Sequence, residues 1–136
     1  MASYWLLKTE PSTYSYDDLE AEKRATWDGV SNPVALRNLR AMAVGDECFI
    51  YHTGDEKRIV GRARVVKAAY QDPKASDPKL IVVDLEPLGK LPNPVTLAEI
   101  KADPRYADWE LTRQPRLSVM PVSVEHWRQV MLAAGR

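Results

Sequence analysis

An aromatic ring and small polar side chains come together in the stretch RATWDGVSNPVALRNLRAM, residues 24–42, outside any regular apolar pattern. Trp27 and Asp28 precede a glycine, and Ser31 and Asn32 lie directly before a proline. A Trp in such surroundings either anchors a loop in the core or forms the wall of a binding site. We expect Trp27 to lie in a turn that presents its ring to a ligand, because glycine lets the backbone bend sharply behind it.

Other flat, polar and cationic side chains could complete such a site. The flat faces are Trp27, Tyr51 and His52, the small hydrogen-bonding groups are Ser31, Asn32 and Ser118, and the cationic donors are Lys8, Arg113 and Arg116. Proteins hold a single unstacked nucleotide by stacking aromatic rings on it and reading its edge with polar groups, and each stacked base contributes about 1–3 kcal/mol. The alternative that Trp27 and Tyr51 are core residues stays open at this point.

The sequence contains few residues in patterns that are typical of catalytic or metal sites. The segment GDEKRIVG has neither the phosphate-loop nor the dinucleotide-binding spacing, and one Cys with two His is a small set of metal ligands. His52 is the only plausible general base, and no serine lies in a nucleophile elbow. We therefore expect a binding protein rather than an enzyme, with no catalytic residue, no metal and no cofactor.

The composition indicates one globular domain that spans residues 1–136. Hydrophobic residues make up 45% and charged residues 28%, as in an ordinary soluble protein. We find no apolar run long enough for a membrane span, no signal peptide and a single cysteine, Cys48, so we expect a cytoplasmic protein and favour a monomer. Nineteen Lys and Arg balance nineteen Asp and Glu, which argues against nucleic-acid affinity that rests on phosphate neutralisation alone.

Hydrophobic periodicity and capping signals predict an α+β fold. Strands are expected at YWLLK, in a hairpin over residues 46–70 with Gly61 at a bend, over residues 79–88 and at RLSVMPVS. Helices are expected to start after caps at Ser15, Asn32, Thr96 and Ser123. Trp127 lies on the apolar stripe of the last helix, so we expect it in the core. Together these elements predict a mixed α/β architecture, a small barrel of about five or six strands, closed or nearly closed, flanked by short helices.

Four blocks of the sequence resemble the EVE domain family. They are YWLLKTEPSTYSYDDL, TWDGVSNPVALRNLRAM, GDECFIYHTG with RIVGRARVVKAAYQD, and TRQPRLSVMPVS with Trp127, and they occur in the order seen in that family. The match runs over residues 4–127, which is nearly the whole chain. The chain is similar to a bacterial single-domain member of this family.

The resemblance implies the PUA-like barrel, a superfamily that also holds the YTH and ASCH domains, and binding to DNA or RNA that carries a modified base, usually a modified cytosine. Trp27 looks similar in position to a Trp of the aromatic cage in YTH domains. By the same resemblance Ser31 and Asn32 form the polar side of the pocket, Lys8 lies at its entrance, and the opposite wall contains Arg113, Arg116, Leu117 and Ser118.

Two alternatives to the binding of a modified base stay open. The second aromatic of the YTH cage has no clear counterpart at Tyr51 or His52, so the bound base need not be a methyladenine. The first rival is an enzyme that acts on a nucleotide or small molecule in the same pocket. The second is a small-molecule or protein-interaction module without nucleic acid.

Overall fold

One six-stranded sheet organises the chain in the computed structural model, which describes residues 3–135. Its strands are β1 (Tyr4–Thr9), β2 (Ala25–Trp27), β3 (Glu47–His52), β4 (Arg58–Gln71), β5 (Ile81–Thr96) and β6 (Val119–Val122). The helices are α1 (Tyr16–Glu22), α2 (Pro33–Ala41), α3 (Leu97–Ala102), α4 (Glu110–Arg113) and α5 (Val124–Ala134), and a short 3-10 turn covers Pro104–Tyr106.

The strand order is β2-β5-β4-β3-β1-β6. β1 pairs in parallel with β3, and the other paired strands are antiparallel. The predicted mixed α/β class with about six strands and short helices is confirmed. The sheet is open rather than closed, because β2 and β6 form two separate ends of this order. None of the helices described between residues 3 and 135 combines the length and apolarity needed to span a membrane.

All four predicted helix caps are confirmed. Each capping side chain accepts a hydrogen bond from a free backbone N–H in the first turn of its helix, which is what a cap contributes to helix stability. The bonds run from Asp18 N to Ser15, from Val34 N and Ala35 N to Asn32, from Glu99 N to Thr96, and from His126 N to Ser123. Pro33 occupies the first turn of α2, as its fixed φ favours.

The predicted turn at Trp27 is wrong and the predicted end of one strand is too early, and in both cases pairing across the sheet decides the structure. Trp27 is not in a turn but is the last residue of β2, which pairs with β5 through Trp27 and Val83. The strand expected to end near Leu88 continues to Thr96, because β5 goes on pairing with β4 as far as Arg58 and Thr96. Neither the short strand β2 nor the extension of β5 shows an alternation of apolar and polar residues that is long enough to predict a strand from the sequence.

The core includes the residues expected there. Trp127 is 7% exposed and its ring stacks between Tyr4, at a centroid distance of 4.3 Å, and Phe49, at 3.8 Å. Its predicted core position is confirmed. Cys48 is fully buried, and burial raises the pKa of its thiol, so it serves as a small apolar residue.

Tyr16 packs directly on the backbone of Gly61, where the bend was predicted. The pairing of β3 with β4 shifts register beside Gly61, and a Cβ built there would lie 2.5 Å from Tyr16 Cζ. The Tyr16 hydroxyl donates to Arg62 O at 2.6 Å and accepts from Gly89 N at 2.9 Å. The backbone N–H of Tyr16 donates to His52 Nε2 at 3.0 Å. Tyr16 therefore fixes the start of α1 to three strands.

We predict that Gly61→Ala lowers the free energy of unfolding by about 1–3 kcal/mol, because the added methyl group must displace the Tyr16 ring from a well-packed position. Gly135→Ala is the matched control, since a Cβ there meets its nearest atom, Met131 O, at 3.6 Å. Chemical denaturation of both variants measures the difference. Equal stability of the two variants would contradict this packing.

Candidate ligand-binding cavity

A cavity of about 600 Å³ lies beside the end of β2, and we call it the main cavity. It is formed by the carboxyl end of β1 and the loop after it, the α1–β2 segment, the loop after β2, and single residues from the β4–β5 loop and the segment before β6. Its lining residues are Lys8, Thr9, Thr13, Tyr14, Glu22, Arg24, Ala25, Thr26, Trp27, Asp28, Gly29, Val30, Lys74 and Ser118.

Two aromatic rings meet at a right angle in the wall of the main cavity. The rings of Tyr14 and Trp27 have centroids 6.0 Å apart and an interplanar angle of 87°. Tyr14 is half-buried, and its hydroxyl donates to a Glu22 carboxylate oxygen. Trp27 is 7% exposed, so it belongs to the core as well as to the cavity wall. The expectation that its ring stands open at a turn is therefore wrong.

A buried carboxylate holds one cationic residue of the cavity in place. Asp84 Oδ2 accepts from Arg24 Nη2 at 2.9 Å, while its Oδ1 accepts from the Tyr70 hydroxyl at 2.6 Å and from Thr26 Oγ1 at 3.1 Å. Burial alone would raise the pKa of Asp84, but these hydrogen bonds outweigh it and the pKa lies below its ordinary value. The buried Asp84 carboxylate thereby fixes the position of the Arg24 guanidinium in the wall of the main cavity.

Lys8 connects β1 to the segment before β6. Its Nζ donates to Pro115 O at 2.9 Å and lies 5.5 Å from the centroid of the Tyr51 ring. The Lys8 backbone N–H donates to Ser118 O at 2.9 Å. Burial lowers the pKa of the Lys8 ammonium. Because an ammonium group has three donors, this arrangement leaves Lys8 able to bind a ligand in the main cavity.

The residues predicted from the sequence divide between two cavities and the surface. Lys8, Trp27 and Ser118 line the main cavity. A second cavity of about 370 Å³ is lined by Asn32, Val34, Gln114, Pro115, Arg116 and Leu117. Asn32 uses its side-chain oxygen to cap α2, accepting from Val34 N at 2.9 Å and Ala35 N at 3.1 Å. Ser31 and Arg113 are exposed and line neither cavity.

Tyr51 and His52 lie inside the fold rather than in either cavity. Tyr51 is 3% exposed, and burial raises the pKa of its hydroxyl. His52 is 7% exposed; its Nε2 accepts from Tyr16 N, and its Nδ1 lies 2.9 Å from Glu56 Oε1. A backbone N–H can only donate, so the ring proton is on Nδ1 and is donated to Glu56. His52 joins α1 and the β3–β4 turn to β3.

Sequence reasoning did not find several polar lining residues of the main cavity. Tyr14, Arg24, Asp28 and Lys74 lie outside the predicted strands, and none of them was predicted as a site residue. Arg24 reaches the cavity through the pairing of β2 with β5, a long-range contact. Lys74 reaches the cavity from the loop between β4 and β5, which is distant from Trp27 in the chain.

Comparison with known proteins gives consistent matches over nearly the whole chain. A model of the EVE domain matches residues 3–133. Thymocyte nuclear protein 1 of Mus musculus is 33% identical, and the alignment covers 93% of this chain and 71% of that protein.

Solved structures agree with this assignment. The NMR structure of a protein from Rhodopseudomonas palustris has a TM-score of 0.93 at 42% identity and covers 98% of this chain and 94% of its own. The human THYN1 protein, crystallised in complex with 5-methylcytosine-containing DNA, has a TM-score of 0.92 at 29% identity, with 99% of each chain covered. These matches confirm the predicted EVE resemblance and its PUA-like fold.

We predict that Asp84→Asn lowers the free energy of unfolding by about 1–3 kcal/mol at pH 7, because hydrogen bonds to a charged group are lost. The lowered pKa of Asp84 means that its contribution is present above the pKa of an unfolded Asp and is lost as the pH falls through the folded-state value. The difference from the parent should therefore shrink below about pH 4.

Urea denaturation across this pH range measures the effect. Asp55→Asn, at an exposed position, is the control and should follow the parent throughout. A deficit in Asp84→Asn that stays constant from pH 7 to pH 3 would contradict the assignment.

Proposed function

The chain belongs to the EVE domain family, and on that premise we propose that it binds nucleic acid and holds one modified base, a modified cytosine, in the main cavity. The observation that carries this proposal is the cavity itself, where the two perpendicular rings of Tyr14 and Trp27 lie among cationic side chains. Its volume of about 600 Å³ is within the range of ordinary small-molecule sites. The DNA complex of the human relative supports the same class of ligand.

The aromatic corner suits a flipped base. A planar ring that enters the cavity can lie against one aromatic side chain and meet the other with its edge, which are both favourable aromatic geometries. Trp27 presents little surface, so we assign the stacking jointly to Trp27 and the half-buried Tyr14. Thr9, Thr13 and Ser118 add hydroxyl groups that can bond to the polar edge of the base.

Three cations provide the electrostatic attraction for the phosphates. Lys8, Arg24 and Lys74 all line the main cavity although the whole chain has no net charge. Arg24 is held by Asp84 and Lys8 by a backbone carbonyl, so both are oriented before a ligand binds. We propose that these residues contact the phosphates beside the flipped base.

The second cavity adjoins the first along the chain. Ser118 and Val30 line the main cavity, while Leu117 and Asn32 line the second one. We propose that the second cavity takes the neighbouring nucleotide, with Arg116 as its cationic contact. The exposed side chains of Ser31 and Arg113 lie at its margin in this proposal.

The surroundings of His52 and Cys48, the candidate reactive side chains, support binding without catalysis. Both ring nitrogens of His52 are engaged, with Tyr16 and with Glu56, and the Cys48 thiol is fully buried. Neither group reaches the main cavity. The cytoplasmic location and the monomeric state stay predictions.

We predict that Trp27→Ala weakens binding to an oligonucleotide with one 5-methylcytosine by about 1–3 kcal/mol, the loss expected for one stacked base. Because Trp27 is also buried, we expect this variant to lose stability by about 3–5 kcal/mol. Trp27→Phe should keep the fold and part of the affinity. Fluorescence anisotropy of a labelled oligonucleotide, measured well below the melting temperature of each variant, separates the loss of affinity from the loss of stability. Parental affinity in a folded Trp27→Ala variant would contradict the proposed site.

We predict that Arg24→Ala and Lys74→Ala weaken binding to all oligonucleotides alike, because each removes one phosphate contact. The slope of log K against log salt concentration should fall by about 0.7–1 for each cation removed. Lys101→Ala is the matched control, since Lys101 is exposed on α3 and lines neither cavity. Salt titrations with modified and unmodified oligonucleotides measure this, and slopes equal to that of the control would place the phosphates elsewhere.

A further inference from the structure

We propose that Asp28 selects the base in the main cavity by accepting a hydrogen bond from an exocyclic amino group, so that cytosine-type bases are bound and thymine and uracil are rejected. This inference rests on the proposed function and adds to it the chemical group that is read. It concerns a side chain that directly follows Trp27 and that the fold itself does not use.

Asp28 is exposed and lines the main cavity. Within residues 3–135 its carboxylate has no hydrogen bond or ion pair. Two other loop aspartates stabilise their own turns: Asp72 accepts from Lys74 N at 2.9 Å, and Asp77 accepts from Lys79 N at 2.9 Å. Asp28 precedes a residue of positive φ yet makes no such bond, so its acceptor capacity is available to a ligand.

Three of the neighbouring charged groups of the cavity have partners in the fold. Arg24 donates to Asp84, Lys8 donates to Pro115 O, and Glu22 accepts from the Tyr14 hydroxyl. None of these bonds involves Asp28. A carboxylate repels phosphate, so the group that Asp28 suits is the edge of a base and not the backbone of the nucleic acid.

The chemistry of the base edge then decides which base fits. An ionised carboxylate can only accept hydrogen bonds. Cytosine presents its N4 amino group as a donor, whereas thymine presents O4, an acceptor, at the same position. A thymine in the cavity would therefore set its O4 against a carboxylate with no proton between them. Asp28 and Trp27 both line the main cavity, so we place the Asp28 carboxylate at the edge of a ring that lies against Trp27.

The comparison of 5-methylcytosine with thymine tests this directly, because both bases carry the methyl group and differ in the groups that pair. We would use duplexes identical except for one central base, 5-methylcytosine, cytosine or thymine, placed opposite an abasic site so that no base pair must be opened. The parent should bind 5-methylcytosine about tenfold or more tightly than thymine, as expected for one discriminating edge contact.

Asp28→Asn should reduce this ratio to about threefold or less, because an amide can donate to O4 as well as accept from N4. Asp28→Ala should reduce it too. Asp55→Asn makes the same chemical change at an exposed position outside the cavity and should keep the parental ratio. We expect both Asp28 variants to melt near the parent, since the Asp28 carboxylate makes no bond within the described chain.

The outcomes distinguish the inference from the proposed function. If the parent binds these duplexes and Asp28→Asn keeps the parental ratio, or weakens both duplexes equally, the role of Asp28 is overturned while nucleic-acid binding stands. If the parent binds none of the duplexes and no single-stranded counterpart, the proposed function fails first. A loss of discrimination in both Asp28 variants, with the parental ratio kept in Asp55→Asn, supports the inference.

Discussion

The main cavity depends on the packing of the Tyr16 ring against the bare backbone of Gly61. A side chain at position 61 and the Tyr16 ring cannot occupy this space together, since a Cβ would lie 2.5 Å from the ring. The hydroxyl and backbone N–H of Tyr16 bond to β4, β5 and the His52 side chain, which fixes the first residue of α1. Tyr14 lies just before this point and Arg24 just after α1. The position of Tyr14 therefore follows from a contact made elsewhere in the sheet, while the pairing of β2 with β5 determines where Arg24 lies.

The placement of charge matters more than its sum. Two arginines of β4 pair with glutamates on the adjacent strands, Arg62 with Glu47 and Arg64 with Glu86, and such partly exposed pairs contribute little to stability. They do neutralise charge on β4. At the main cavity, Lys8 donates to the carbonyl of Pro115, which is neutral and therefore does not cancel the positive charge of Lys8. A chain with no net charge can thus present local cations to a polyanion, which the total of acidic and basic residues does not reveal.

The sequence predicted what is decided locally. The caps at Ser15 and Asn32 were predicted because a side chain and the N–H groups that it bonds are two or three residues apart. The short β2, the parallel pairing of β1 with β3 and the extension of β5 depend on partners that are distant in the chain. The same division holds for the cavity: Lys8 and Ser118 were found by residue type and resemblance. Arg24 was not found, because only the pairing of β2 with β5 brings it beside Asp84.

Trp27 has a side chain that packs in the core and also lines the main cavity. Its backbone is paired with Val83 in the sheet, and its ring is 7% exposed. Ordering a mobile side chain costs a binding protein about 0.5–1.5 kcal/mol for each one immobilised, and a ring already fixed by the core avoids that cost. Tyr14 is restrained as well, by its contact with Trp27 and its bond to Glu22. The aromatic corner is thus formed before any ligand arrives, because the contacts that stabilise the fold also hold the wall of the cavity.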